Sequence, residues 1–276
     1  MSNQNLSPVA WLLPLLPIVL ACIIYFGELQ TSSFLFINSL TQGVPDIVWA
    51  FLTYLGNGWG VFAIAFPLLL LAPRLLTAGI FAGAISAIVS SVLKPFFDLP
   101  RPAGVLPEGS FHRIGELLLS KAFPSGHTLT AFAIASALYF ASAKSKRGSL
   151  LWLFILASLV GLSRIAVGAH WLTDVLAGAG VGLWCGMVGV ALSEYIHGSQ
   201  LLPNKIWPRF IAVGGLVTIY ALLTQTMDLE LNHPLQYASV VLIAATLVLF
   251  IKAQMPNAFS RSPRSISLTN FMRITS

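Results

Sequence analysis

The stretch LLTAGIFAGAISAIVSSVLKPFFDLPRP, residues 75–102, decides the fold. Its first part, 75–93, carries no charged side chain and is long enough to cross a bilayer, which takes roughly 17–25 apolar residues in a helix. The run then stops at Lys94, Asp98 and Arg101. Ionisable groups at a membrane boundary are costly to place, so their default interpretation is functional. The stretch predicts a transmembrane helix that ends in a functional site.

Seven further apolar runs follow the same pattern. They occupy 10–26, 47–72 with a break at 56–58, 128–142 extended by a turn at its start, 150–167, 175–192, 210–223 and 237–251. The whole chain of 276 residues is 57% hydrophobic and 9% charged, with a mean hydropathy of +0.84, whereas soluble domains carry about 25% charged residues. We therefore predict an all-α, polytopic transmembrane bundle of eight helices.

Composition excludes several other classes. The net charge of +6 is spread over several loops and does not form the basic stripe of a nucleic-acid-binding protein. Cys22 and Cys185 lie in apolar runs, which indicates packing, and no zinc-type spacing occurs. The N-terminus lacks the basic segment and cleavage site of a removable signal, so the first run predicts a retained helix. Neither a metal nor a cofactor is expected, and the oligomeric state stays open.

The distribution of positive charge predicts an orientation. When the eight helices alternate in direction, ten of the 15 Lys and Arg residues fall on one side. An excess of Lys and Arg marks the cytoplasmic face. Both termini are then cytoplasmic in an inner membrane, and 94–127 and 163–174 lie on the extracytoplasmic side.

The motif FPSGH, 123–127, opens the fourth predicted helix. Pro124 suits the first turn of a helix, where its missing N–H costs nothing. Gly126 lets an anion approach the backbone, and a helix N-terminus offers unpaired N–H groups and a partial positive charge to phosphate. His127 projects from the same turn. A plain helix start with a capping Ser125 is the alternative interpretation.

The motif KPFFDLPRP, 94–102, follows the third predicted helix. Its two internal prolines, Pro95 and Pro100, predict a stiff, non-helical loop that aims Lys94 and Arg101 inward. Arg101 suits bidentate contacts to oxyanions, and Lys94 acts as a point charge. Snorkelling cations at a helix end are the alternative.

The motif SRIAVGAHWLTD, 163–174, joins the fifth and sixth predicted helices. His170 and Asp174 are four residues apart and are expected on one face of a helix. A carboxylate bonded to one ring nitrogen fixes the tautomer and leaves the other nitrogen as a nucleophile. Arg164 precedes them by one short loop and is expected to complete a phosphate cage. A buried structural His–Asp pair is the alternative.

Together, the three motifs resemble the signature motifs of the type 2 phosphatidic acid phosphatase family, the membrane lipid phosphatases related to vanadium haloperoxidases. The spacing agrees: six residues separate Lys94 from Arg101, five separate Arg164 from His170, and three separate His170 from Asp174. The resemblance covers roughly the second to the sixth helix, and the three motifs are specific in combination.

This resemblance implies roles for individual residues. His170 would attack phosphorus and form a phosphohistidine, Asp174 would orient it, and His127 would protonate the leaving oxygen. The phosphate oxygens would be held by Lys94, Arg101, Ser125, Gly126 and Arg164. The six-helix core of the family predicts a phosphatase core at 1–196, two additional transmembrane helices at 197–253 and a polar cytoplasmic tail at 254–276. The two additional helices depart from the family and are expected to leave the mechanism intact.

The predicted function is hydrolysis of a lipid phosphate or diphosphate at the extracytoplasmic face. Undecaprenyl diphosphate, phosphatidylglycerophosphate and phosphatidic acid are family-level candidates for the substrate. A phosphotransferase that passes the phosphoryl group to a lipid acceptor such as lipid A is the nearest alternative. A carrier or flippase for an anionic lipid is a further one, although binding alone has no use for a nucleophile and an acid.

Overall fold

A computed structural model describes residues 7–254, and the regular secondary structure within this range is helical, without strands. The predicted cytoplasmic tail, apart from residue 254, lies outside the described residues. The α-helices are α1 Leu15–Phe26, α2 Gln30–Thr41, α3 Asp46–Tyr54, α4 Gly58–Ala65, α5 Leu68–Leu71, α6 Pro73–Phe97, α7 Gly126–Ala141, α8 Trp152–Ala166, α9 Leu172–Ser193, α10 Ile206–Thr224 and α11 His233–Gln254.

Each predicted membrane span corresponds to one or more of these helices, but one span is bent and another is shorter than expected. Within the described part of the chain, six helical segments are long and apolar enough to cross a membrane: Pro8–Phe26, Pro73–Gly104, Gly148–Ala166, Leu172–Ser193, Gly198–Thr224 and Glu230–Gln254. The second predicted helix is a pair, α3 and α4, bent by 74° at the break. The fourth is α7, an apolar helix of only 16 residues. The multi-pass, all-α architecture is confirmed.

Helix α7 lies at the centre of the bundle, where it packs most extensively against α9 and also against α6 and α8. Glycines on α9 permit this approach. A Cβ atom added to Gly178 would lie 2.7 Å from the carbonyl oxygen of Ser125, and one added to Gly186 would lie 2.5 Å from that of Ala133. Small residues of this kind allow transmembrane helices to pack backbone against backbone. The close contact holds the start of α7 against the start of α9.

The C-terminal helices α10 and α11 pack against each other and against α4 and α5. Their shared apolar cluster includes Tyr54, Phe66, Leu222 and Ile243, all almost completely buried. The hydroxyl group of Tyr54 also donates a hydrogen bond to Ser239 Oγ at 2.9 Å. This helix pair is therefore joined to the bundle through the bent second span.

Helix α2 was not predicted from the sequence. Its buried residues are Phe34, Asn38 and Thr41, which recur at the helical period, and Leu35 and Ile37 are partly buried beside them. Asn38 Nδ2 donates hydrogen bonds to the carbonyl oxygens of Ile165 and Ala166 at 3.0 and 3.2 Å. Helix α2 thus supports the turn that follows α8.

Candidate active site

The FPSGH segment forms the start of α7, as expected. The helix begins at Gly126 with Ser125 as its N-cap residue, so Pro124 precedes the helix and does not occupy its first turn. The hydroxyl group of Ser125 does not cap the helix but accepts a hydrogen bond from the Thr128 hydroxyl at 3.0 Å. The first amides of a helix have no intrahelical partner, so this end of α7 can receive an anion.

Lys94 lies in the last turn of α6, so the prediction of a non-helical loop is wrong for residues 95–97 and holds only from Asp98. The helix includes Pro95 and continues to Phe97. A proline in the last turn removes only one N–H group, and the helix ends at Asp98, which has a left-handed conformation and donates its N–H to the Lys94 carbonyl at 3.0 Å. A Cβ atom added to Gly126 would lie 3.6 Å from Lys94 Nζ. The ammonium group therefore faces the start of α7.

Arg101 is buried and joins the first motif to the third. Its Nε donates to the Ser120 carbonyl at 2.8 Å, and its Nη1 donates to the Ala169 carbonyl at 2.9 Å. The same Nη1 lies 3.3 Å from Nε2 of His170. The alternative interpretation, a cation that snorkels toward solvent, does not apply to Arg101, since only 7% of the residue is exposed.

His170 and Asp174 form a contact, but not on one helix as predicted. His170 lies in the turn before α9, whose N-cap residue is Trp171. Asp174 Oδ2 accepts the Trp171 N–H at 2.9 Å and lies 3.3 Å from His170 Nδ1. An aspartate in the first turn can bond amides upstream of the helix, which brings the preceding turn back over it. The carboxylate therefore orients a histidine outside the helix.

The neighbours of His170 define its tautomer. A guanidinium group can only donate, so the Arg101 contact requires a lone pair on Nε2 of His170. The proton of a neutral ring then resides on Nδ1, facing Asp174. Burial lowers the pKa of His170 well below its usual range, and the positive charges of Arg101, Arg164 and Lys94 lower this pKa further. The ring is neutral at pH 7, with Nε2 available as a nucleophile.

Arg164 supplies a further cation beside this ring. Its Nη1 donates to Thr53 Oγ1 at 3.3 Å, and the carbonyl oxygen of Arg164 accepts the N–H of His170 at 3.2 Å. Its Nε is buried and has no hydrogen-bond partner within residues 7–254. An orphaned buried donor of a charged group is costly. A phosphate oxygen is a suitable acceptor for it, as the sequence-based expectation of a phosphate cage requires.

Two residues near His127 were not identified from the sequence. Asp228 Oδ1 lies 2.8 Å from Nε2 of His127, and Asn57 Nδ2 donates to Asp228 Oδ2 at 2.9 Å. Asn57 belongs to the break between α3 and α4, and Asp228 to the loop between α10 and α11. The charge distribution places Asp228 on the same face as the motifs, but nothing in the spacing indicates its contact with His127.

The comparisons with known proteins agree with the motifs. The model of the PAP2 superfamily matches residues 75–197, which contain all three. A lipid A 1-phosphatase of Porphyromonas gingivalis is 38% identical over 77 residues, 28% of this chain and 17% of that protein. Phosphatidylglycerophosphatase B of Bacillus subtilis is 31% identical over 105 residues, 35% of this chain and 47% of that protein. The chain thus spans less than half the length of these two relatives.

A third relative matches over a greater length. The bacitracin transport permease protein BcrC of Bacillus licheniformis is 27% identical over 194 residues, which is 67% of this chain and 93% of that protein. The matched family region begins near the start of α6 and ends just after α9, so it excludes α10, α11 and Asp228. By its motifs and by this match, the region 75–197 of the chain belongs to the PAP2 superfamily.

Proposed function

We propose that this protein is an integral membrane lipid phosphatase that works through a phosphohistidine intermediate. The observation that carries the proposal is the setting of His170, a buried neutral imidazole between Asp174 and Arg101. Its Nε2 lone pair faces cations instead of an apolar core. A structural His–Asp pair needs no such surroundings, whereas an attack on a phosphate group does.

The proposed reaction has two steps. In the first, Nε2 of His170 attacks phosphorus, the bond from phosphorus to the lipid oxygen breaks, and His127 donates a proton to that oxygen. In the second, water attacks the phosphohistidine while His127 accepts its proton, and inorganic phosphate leaves. The charge of the transferred group is opposed by Lys94, Arg101 and Arg164, by the Ser125 hydroxyl group and by the Gly126 amide at the start of α7. The amide of Ser125 is already used, since it donates to the Asp174 carbonyl at 3.0 Å.

An apolar cavity supports a lipid as the substrate. A cavity of about 720 Å³ lies between α4, α6, α7 and α10, and its walls include Val61, Ile80, Ile134 and Val217. Asn57, which bonds Asp228 beside His127, also lines it. An apolar cavity that ends near a phosphate cage suits an amphiphile with a phosphate headgroup.

The names of two relatives indicate the same substrate class, since one is a lipid A 1-phosphatase and the other a phosphatidylglycerophosphatase. Undecaprenyl diphosphate, phosphatidylglycerophosphate and phosphatidic acid are the proposed candidates. Phosphate release from a panel of these lipids by the purified protein, together with trapping of a phosphohistidine by an alkaline quench, tests the proposal. Phosphate release without any acid-labile phosphoenzyme would contradict the mechanism, and binding without release would contradict the activity.

We also propose that the site faces the extracytoplasmic side of an inner membrane, with both termini cytoplasmic. The support is the excess of Lys and Arg on the opposite side. A periplasm-dependent reporter fused after the last residue is expected to be inactive. Activity of that fusion would contradict the proposed orientation and indicate the opposite one.

A carrier remains the rival from another class, because the relative that is matched over most of its length is named a transport permease. A carrier requires cations for the headgroup but neither an oriented nucleophile nor an acid. Replacing His170 with Ala separates the two, since a carrier would keep its transport rate and a phosphatase would lose all turnover. A phosphotransferase would instead form the phosphoenzyme but release inorganic phosphate only slowly. Adding an acceptor such as lipid A would then consume the phosphoenzyme and yield the phosphorylated acceptor.

A further inference from the structure

We infer that Asp228, which lies outside the matched family region, is a positioning residue for His127, so that the C-terminal helix pair completes the active site. The inference rests on the proposed phosphatase function. It implies two His–Asp pairs in one site: Asp174 orients His170 for attack, and Asp228 orients His127 for proton transfer.

The contact geometry assigns the free nitrogen of His127. Asp228 Oδ1 engages Nε2 at 2.8 Å, and Nδ1 makes no hydrogen bond to any described residue. A neutral ring with its proton on Nε2 presents a lone pair at Nδ1, and a protonated ring presents an N–H there. Nδ1 can therefore give a proton to a leaving oxygen and later accept one from water, while Asp228 holds the ring in both states.

Asn57 holds the carboxylate in place. The side-chain oxygen of Asn57 accepts the amide of Trp59 at 2.9 Å and caps α4, which leaves its Nδ2 to donate to Asp228 Oδ2 at 2.9 Å. The position of His127 is restricted from the same side, since a Cβ atom added to Gly56 would lie 2.8 Å from Cβ of His127. The break in the second span thus contacts both members of the pair.

The loop that carries Asp228 is fixed by buried side chains. Gln236 Oε1 accepts the Met227 amide at 3.1 Å, and its Nε2 donates to the carbonyl oxygens of Leu222 and Gln225 at 2.9 and 2.8 Å. Asp228 itself has a left-handed conformation with φ of 64°, which Asp tolerates better than most residues do. Such a loop presents its carboxylate in one place.

The charges around Asp228 keep it anionic. Burial alone would raise the pKa of this carboxyl group, but the charges of His127 and Arg164 and the hydrogen bonds from His127 and Asn57 lower the pKa to about 2. Asp228 and Arg164 also line one small cavity of about 250 Å³. An anion in contact with Nε2 stabilises the imidazolium form of His127 against burial and the cations Arg164 and Lys94, which disfavour that form. A general acid for a poor leaving group requires such a counter-charge.

The test compares Asp228→Asn with Glu230→Gln in the full-length protein, using phosphatidic acid and p-nitrophenyl phosphate as substrates. Glu230 is in the same loop and is exposed, so its variant makes the same change of charge without touching His127. The value kcat/KM reports the first chemical step, the transfer of the phosphoryl group to His170. In that step the lipid alcohol needs a proton in order to leave, whereas p-nitrophenolate does not. We expect Asp228→Asn to lower kcat/KM for phosphatidic acid by about 100-fold and that for the aryl phosphate by less than about 5-fold.

A double variant provides the second measurement. His127→Ala combined with Asp228→Asn is expected to be no slower than His127→Ala alone, because a positioning residue has no effect without its histidine. Equal losses on both substrates, additive losses in the double variant, or a Glu230→Gln variant as slow as Asp228→Asn would each overturn the inference. Absence of phosphatase activity in the wild-type protein would instead contradict the proposed function, so the two failures are distinguishable.

Discussion

Replacing Arg101 with Lys tests whether the cage acts on the reaction or only supports the fold. The guanidinium group makes two short hydrogen bonds in different directions, to Ser120 and Ala169, while facing Nε2 of His170. A single ammonium nitrogen cannot reach both carbonyl oxygens and also face the nucleophile. Loss of one bond from a charged donor is expected to lower the free energy of unfolding by about 1.5–3 kcal/mol.

The expected loss of activity is larger. Removing one donor from a developing oxyanion costs roughly 3–4 kcal/mol of transition-state stabilisation, so kcat/KM is expected to fall by 100-fold or more. The assay is phosphate release from phosphatidic acid in mixed micelles, at a temperature at which both proteins remain folded. The melting temperature from tryptophan fluorescence reports the structural part of the loss.

Arg74→Lys is the matched control for this variant. Arg74 Nη1 donates to the Ser193 carbonyl at 2.6 Å, so the same substitution removes a comparable bond. Arg74 lies in the first turn of α6, 20 residues before Lys94, which corresponds to about 30 Å along the helix. We expect a similar change in melting temperature and a kcat/KM within about threefold of the wild type. A turnover of Arg101→Lys equal to that of Arg74→Lys would refute the assigned role.

Three further predictions concern the histidines and the packing beneath them. Burial and neighbouring cations lower the pKa of His170, so protonation should remove the nucleophile only well below about pH 6.5. The acidic limb of the plot of kcat/KM against pH should therefore lie well below that value. An acidic limb at or above about pH 6.5 would contradict the buried setting of His170. His127→Ala should be impaired by several powers of ten on a lipid phosphate and partly rescued by an aryl phosphate, which rapid-quench kinetics would show; equal losses would remove its role as acid. Gly178→Ala should destabilise by about 1–3 kcal/mol, since its Cβ atom would lie 2.7 Å from the Ser125 carbonyl, whereas Gly83→Ala, with 3.7 Å to the nearest atom, should be close to neutral in a thermal melt.

The sequence was sufficient to identify the spans and to group the motifs. Apolar runs gave the order of the helices because each backbone polar group inside a bilayer must be satisfied within a helix. The Arg101–His170 and His170–Asp174 contacts are both 3.3 Å long. They join the first motif to the third, in agreement with the prediction that these motifs lie on the same side of the bundle. Their catalytic roles remain proposals.

The local details depended on contacts that no spacing reveals. The extension of α6 through Pro95 and the position of His170 before α9 follow from how each end is capped. Helix α2 escaped detection because it is short and mostly polar, although its buried positions follow the helical period. Asp228 is 101 residues from His127, and their contact follows from the packing of α10 and α11 on the bent second span. The expectation that these two helices leave the mechanism intact does not take account of this contact.

The shortness of α7 has a consequence for where the chemistry takes place. Its 16 residues extend about 24 Å, several ångströms less than the hydrocarbon thickness of about 30 Å. If the end of α7 opposite His127 is level with the ends of its neighbours, the end that bears His127 is recessed below the nearer membrane surface, or the bilayer thins locally around it. A lipid then needs to sink its headgroup only slightly, without leaving its leaflet, whereas a water-soluble ester must descend into the recess without an apolar tail to drive it. Selection for amphiphiles would in this way begin with the length of one helix.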